Sequence, residues 1–280
     1  MKIDVPTVSD YPYYATIEFN GLTMAAAAIV DRNWVIASGV LCIDNFKEEY
    51  RIRVGTDVRD LLTKGIIESL GQGGSVHQIE KMVQHENRSG KLFGDDVCLI
   101  KVKEPFEFDE TRQQVTLPKP GDKMAPGTRA NLTGLEFLKV QEDWLWTYPF
   151  IEKLQSAGMY ILDTGKCIEA LESKLDSTTP EGKICASYYV YPKDKEYVCW
   201  LNLGGTPLTI EGLLVGLFSY TDICDEPNQP VLFTDIAYYR DWIDQHLTSD
   251  RNVPEFLASS WAVLKKLASF LVGLLGSYSE

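Results

Sequence analysis

Three histidines, His77, His85 and His246, are all the imidazole this chain contains, so any proton relay built on histidine must draw on one of them. His77 lies in a strand-like run and His85 just after it, whereas His246 falls in a helical pattern near the end. A paired carboxylate, Asp95-Asp96, opens an apolar run. The six cysteines, Cys42, Cys98, Cys167, Cys185, Cys199 and Cys224, are either structural bridges or buried thiols, and their count alone does not decide. A cysteine nucleophile is disfavoured, because no histidine is placed to form a thiolate pair. Asn87-Arg88-Ser89 and Asn131-Leu132-Thr133 match the glycosylation acceptor pattern, which matters only in the secretory pathway. No metal site and no cofactor is expected.

The elements that must position these groups read as strands. Short runs rich in Val, Ile and Tyr, punctuated by Gly, Pro and Asn, cover 14–19, 24–30, 34–37, 50–54, 76–83 and 97–102, and predict a first barrel. A Pro-bearing stretch at 104–127 interrupts them as a crossover would. A second set follows near 130–135, 144–154, 183–191, 213–220 and 231–236. The pattern turns helical over 237–247, and after Pro254 a second helix is predicted from Glu255 to about Leu275. Its apolar arc is wide, with Lys265 and Lys266 opposite, which leaves it too interrupted to span a bilayer. The expected divisions are 1–110 for the N-terminal segment and first barrel, 111–236 for the crossover and second barrel, 237–250 for a closing helix, and 251–280 for the amphipathic extension.

Three stretches carry a resemblance. Ala25-Ala26-Ala27-Ala28-Ile29-Val30-Asp31-Arg32-Asn33-Trp34-Val35-Ile36-Ala37-Ser38-Gly39-Val40-Leu41 is similar to C-G-G-S-L-I-x-x-x-W-V-L-T-A-A-H-C, and Asp95-Asp96-Val97-Cys98-Leu99-Ile100-Lys101-Val102 to N-D-I-A-L-L-K-L. Cys199-Trp200-Leu201-Asn202-Leu203-Gly204-Gly205-Thr206-Pro207-Leu208 resembles C-x-G-D-S-G-G-P-L. Together they look like the trypsin and chymotrypsin family of serine proteases, over about Tyr11 to Leu247. The resemblance implies an all-β fold of two six-stranded antiparallel barrels with a cleft between them and a C-terminal helix.

The resemblance also implies what each position should do. Peptide hydrolysis here needs a hydroxyl nucleophile, an imidazole base, an orienting carboxylate and backbone donors for the oxyanion. The nucleophile position is Leu203, the imidazole position is Val40, or Leu41 if one residue is inserted, and only Asp96 remains of the triad. Asp96 is then expected as a buried carboxylate bonded by Ser219 or a backbone N–H. Leu201 stands at the oxyanion glycine, Asn202 at the activation aspartate, and Tyr197, Thr221 and Val231 are expected to fill the specificity pocket. Bridges Cys167–Cys185 and Cys199–Cys224 are implied, with Cys42 and Cys98 left open between a further bridge and two buried thiols.

The resulting expectation is a protein that is not an enzyme: a noncatalytic homologue acting by protein binding, as decoy, adaptor or regulator of proteolysis. The alternative is a peripheral membrane protein using its terminal helix, with residues 255–275 meeting a membrane surface or a second copy. Forty acidic against 27 basic residues give a net charge of -13, which repels phosphate backbones and excludes nucleic acid as a partner. An extracellular placement is expected, although Met1-Lys2-Ile3-Asp4-Val5-Pro6 has no leader-like apolar stretch, so either a leader is removed or secretion takes another route.

Overall fold

A tight turn starts the first barrel. Asn20 and Gly21 both take positive φ, 50° and 79°, the pairing that lets a two-residue turn follow the twist of its strands, and they join β1 (Tyr14–Phe19) to β2 (Leu22–Asp31). β3 (Trp34–Ala37), β4 (Tyr50–Val54), β6 (Ser75–Gln84) and β7 (Cys98–Val102) complete a closed barrel in the order β1-β2-β3-β7-β6-β4. Closure removes the free edges that an open sheet of this size would expose. Its core combines large β-branched side chains, among them Ile17, Ile29, Ile52 and Ile100, with the small Ala25 and Ala27 of β2. Opposite charges are buried as a pair in the same barrel, where Arg53 Nε donates to Glu18 Oε1 at 2.7 Å. The computed structural model describes residues 6–42, 47–60, 73–88, 95–137, 151–175, 181–188, 204–220 and 230–251.

The second barrel is built from β8 (Arg129–Phe137), β9 (Ile151–Ile161), β10 (Lys183–Tyr188), β11 (Pro207–Ile210), β12 (Leu213–Tyr220) and β13 (Val231–Asp235). They are arranged side by side as β10-β13-β12-β11-β8-β9, and β10 also pairs with β9, which closes the ring. A short strand from the first half, β5 (Val58–Asp60), adds to the outer side of β9. Leu132, Met159, Ile184, Leu208 and Phe233 fill the core. The two barrels meet through buried Tyr14, Ala26, Leu135 and Leu154, and the Tyr14 hydroxyl accepts from the Leu135 N–H at 3.0 Å. The all-β double barrel expected from sequence is therefore present.

Differences from the sequence reading are local. β5 and β11 are too short to stand out in the sequence, and β9 runs on to Ile161 rather than ending at 154. A helix absent from the expectation, α1 (Thr164–Leu175), comes after β9. Its signal is present in the residues: Asp163 precedes the run and its Oδ1 accepts from the Lys166 N–H at 3.1 Å, as a capping side chain does. Asp163→Ala should cost about 1 kcal/mol in a urea melt; an unchanged midpoint would show that the Cys167–Cys185 bridge alone fixes the helix start.

The chain divides into two compact units, Met1–Arg240 and Asp241–Glu280. The second begins with most of α2 (Arg240–Arg251), which starts three residues later than the helical pattern suggested. Within it Trp242 and His246 stack one turn apart, at 4.6 Å between ring centroids, and His246 Nδ1 lies 2.9 Å from the Trp242 carbonyl. The predicted extension at 255–275 lies outside the described residues. Among the described residues no helix is long and apolar enough to cross a membrane.

Candidate functional site

Asp96 is buried just ahead of β7, and its carboxylate is fully engaged by hydroxyls. Ser38 Oγ donates to Oδ1 at 2.8 Å and Ser219 Oγ donates to Oδ2 at 2.9 Å. Thr234 Oγ1 donates to the Asp96 backbone carbonyl at 2.9 Å. Ser219 is one donor the sequence pointed to; Ser38 is not. Among the described residues, none of the hydrogen bonds to this carboxylate comes from histidine.

Ser38 reaches Asp96 because the backbone turns sharply immediately after it. The chain leaves β3 through a single 3-10 turn, Gly39–Leu41, and the Ser38 hydroxyl also accepts from the Val40 N–H at 3.4 Å. That turn leaves the Val40 side chain 56% exposed. Val40, one of the two residues expected at the imidazole position, is thus an apolar group facing solvent, while the nearby serine bonds the carboxylate. The segment after Leu203 comes to the same place. The Ala26 N–H donates to the Gly204 carbonyl at 3.1 Å, and the Gly205 N–H to the Phe218 carbonyl at 2.9 Å. A Cβ on Gly204 would lie 3.6 Å from Ser38 Oγ, and one on Gly205, whose φ is +83°, would collide with the Ala26 carbonyl.

A lysine of the second barrel enters the same cluster. Lys183 opens β10 and is 6% exposed, with Nζ donating to Ser219 Oγ at 3.2 Å and to Thr234 Oγ1 at 3.3 Å. Burial lowers its pKa from 10.5 to about 8, although Asp96 and Asp95 pull the other way. The period of two is the available signal. Ile184, Ala186 and Tyr188 point into the barrel, which leaves Lys183 on the face of Cys185, away from that core. Beside Asp96, Asp95 Oδ1 accepts from the Tyr239 hydroxyl at 2.8 Å and lies 3.7 Å from His85 Nδ1. Burial first, and then Asp95, push the Tyr239 phenol well above its ordinary range. His77 lies elsewhere in the first barrel, between Ser75 Oγ and the Glu104 carbonyl, and burial lowers its pKa.

Cys42 and Cys98 form a disulfide with Cα atoms 6.1 Å apart, and Cys167 and Cys185 form another at 6.4 Å. Tyr197, Cys199, Leu201, Asn202, Leu203, Thr221 and Cys224 lie outside the described residues. Val231 packs into the second-barrel core with Phe233. Asn87 is exposed after β6, and Asn131 is exposed on β8, opposite Gly158 and Thr209. Among the described residues no cluster is suited to a metal ion.

This arrangement of two barrels, with Asp96 and Ser219 meeting where they join, agrees with a family model described as Trypsin, which matches residues 4–243. The chain belongs to the trypsin family. The rat protein Transmembrane protease serine 11G is 25% identical over 240 residues, 84% of this chain and 52% of the relative, so the chain spans about half that protein's length. Trypsin eta of Drosophila melanogaster is 28% identical over 215 residues, 76% of this chain and 73% of the relative. Among solved structures, the scabies mite inactivated protease paralogue S-I1 superposes with a TM-score of 0.67 at 15% identity, covering 89% of this chain and all (100%) of that one. Kallikrein-related peptidase 10 gives 0.62 at 20%, covering 86% and 98%. At those identities the likeness speaks for the fold.

These findings correct one expectation. The substitutions at Val40 and Leu203 led to the conclusion that the chain is not an enzyme, but the family match and the protease relatives point to a protease, and inactivity is not shown. Single aligned positions do not report the hydroxyl, amine and carboxylate groups of Ser38, Ser219, Lys183 and Asp96, which the fold brings together. The trypsin-like relatives, together with the two bridges, point to a place outside the cell or on the exterior side of a membrane.

Proposed function

We propose that this trypsin-family protein acts by binding a protein, as a decoy, adaptor or regulator of proteolysis, after secretion. One observation carries the reading: both oxygens of Asp96 are bonded by Ser38 and Ser219, while Val40 presents an exposed apolar side chain beside them. A carboxylate satisfied internally contributes rigidity, and an exposed apolar group is the kind of surface that gains from being covered.

The test is affinity capture from the native extracellular fluid with the full chain and with Val40→Glu. A partner should be retained by the parent and bound at least about tenfold more weakly by the variant, since covering a new carboxylate opposes association. Retention of nothing, combined with turnover of a diverse peptide library, would replace the reading with plain proteolysis. Equal binding by both chains would move the interface away from Val40.

A further inference from the structure

Lys183, Thr234 and Ser219 stand on three neighbouring strands of the second barrel. Pairing of β10 with β13 sets Lys183 opposite Thr234, and pairing of β13 with β12 sets Thr234 opposite Leu217. The β12–β13 ladder slips between Phe218 and Tyr220, so Ser219 falls in an irregularity of the kind that re-aims a side chain. Its half-buried hydroxyl lies 3.2 Å from Lys183 Nζ and 2.9 Å from Asp96 Oδ2. Thr234 Oγ1, 3.3 Å from the same amine, is itself fixed by its bond to the Asp96 carbonyl. A hydroxyl within reach of an amine that a third group orients is the arrangement of an activated nucleophile, in its serine–lysine form.

We propose that Ser219 is a nucleophile towards an acyl carbon, that of an ester or a peptide bond, with Lys183 as its base and Thr234 as a positioning residue. In the resting state Lys183 donates to Ser219, which donates to Asp96. Once Nζ has lost its extra proton, its lone pair takes the Oγ proton as Oγ bonds to the carbonyl carbon and the π electrons move to the carbonyl oxygen. Collapse of that adduct breaks the bond to the leaving alkoxide or amine, which takes the proton from Lys183. Water then adds to the acyl carbon as Lys183 accepts its proton, and collapse of that adduct breaks the bond to Oγ, which takes the proton back from Lys183 as the acid leaves. Burial favours the neutral amine, bringing its pKa to about 8; Arg88 acts in the same direction, and Asp95 and Asp96 oppose it. The step uses neither Val40 nor Leu203, and it extends the binding reading to a covalent one at a different residue.

A fluorophosphonate probe tests it on the full chain. Oγ attack forms the O–P bond, fluoride leaves, and Lys183 holds the proton. Peptide mapping should place the adduct on Ser219, and labelling should be about tenfold faster at pH 9 than at pH 7, in step with the neutral fraction of the amine. Ser219→Ala and Lys183→Met should each lose the adduct while keeping the parent near-UV circular dichroism. Thr234→Val should shift the pH midpoint of labelling, and Thr234→Ser should restore it. A folded parent left unlabelled at Ser219, or a Ser219 adduct whose rate ignores Lys183→Met, overturns the proposal. Partner capture plays no part in this readout, so the binding reading and this one fail separately.

Discussion

Replacing Cys42 and Cys98 together by alanine will lower stability by about 4 kcal/mol, because the bridge closes a loop with a sequence separation of 56 and so constrains the unfolded chain. Both sulfurs are buried in the first-barrel core, where alanine fits without introducing a polar group. The bridge also ties the end of the Gly39–Leu41 turn to the start of β7, two residues beyond Asp96. Urea midpoints of the parent, the double variant and the parent under reductant measure this directly. The reduced parent should fall below the double variant, by up to about 3 kcal/mol, because reduction also opens the Cys167–Cys185 bridge, which closes a separation of 18. Equal midpoints for parent and double variant would mean that the two residues serve as buried thiols.

Most of the architecture was legible because barrel strands are short, regular and bounded by turn residues. Tyr14–Phe19, Trp34–Ala37, Tyr50–Val54 and Leu213–Tyr220 fall where the short runs rich in Val, Ile and Tyr placed them. Elements set by context were not legible. β5 has three residues and exists because β9 offers it an edge, while α1 is decided by the Asp163 cap more than by an apolar stripe. The site shows the same division. Asp96 and Ser219 announce themselves through their motifs. Ser38 needs the geometry of a 3-10 turn, and Lys183 needs two strand registers, before either can be seen to share their neighbourhood.

Lys183 should make the protein more stable as pH rises from 7 to 10, relative to a Lys183→Met variant. Its folded pKa lies near 8 against 10.5 for an ordinary lysine amine, so between those values the unfolded chain binds the proton that the folded chain has released. Stability contributed by this residue therefore increases through that window, and the penalty for burying the charged form is fully present below about pH 8. A depression of this size corresponds to roughly 3 kcal/mol as an upper figure, since Ser219 and Thr234 accept from the ammonium and Asp96 favours it. Other groups that change charge in this range are common to both chains and cancel in the difference. Urea midpoints of parent and variant at pH 7, 8, 9 and 10 should converge or cross in the parent's favour. Parallel curves up to pH 10 would mean that the folded amine is not depressed, because it keeps its solvent or because attraction to Asp96 and Asp95 offsets burial; a raised pKa would cost the parent stability only above about pH 10.5. That result would also remove the neutral amine that the Ser219 reaction requires near pH 8, so this equilibrium measurement constrains the chemistry at the site without any substrate.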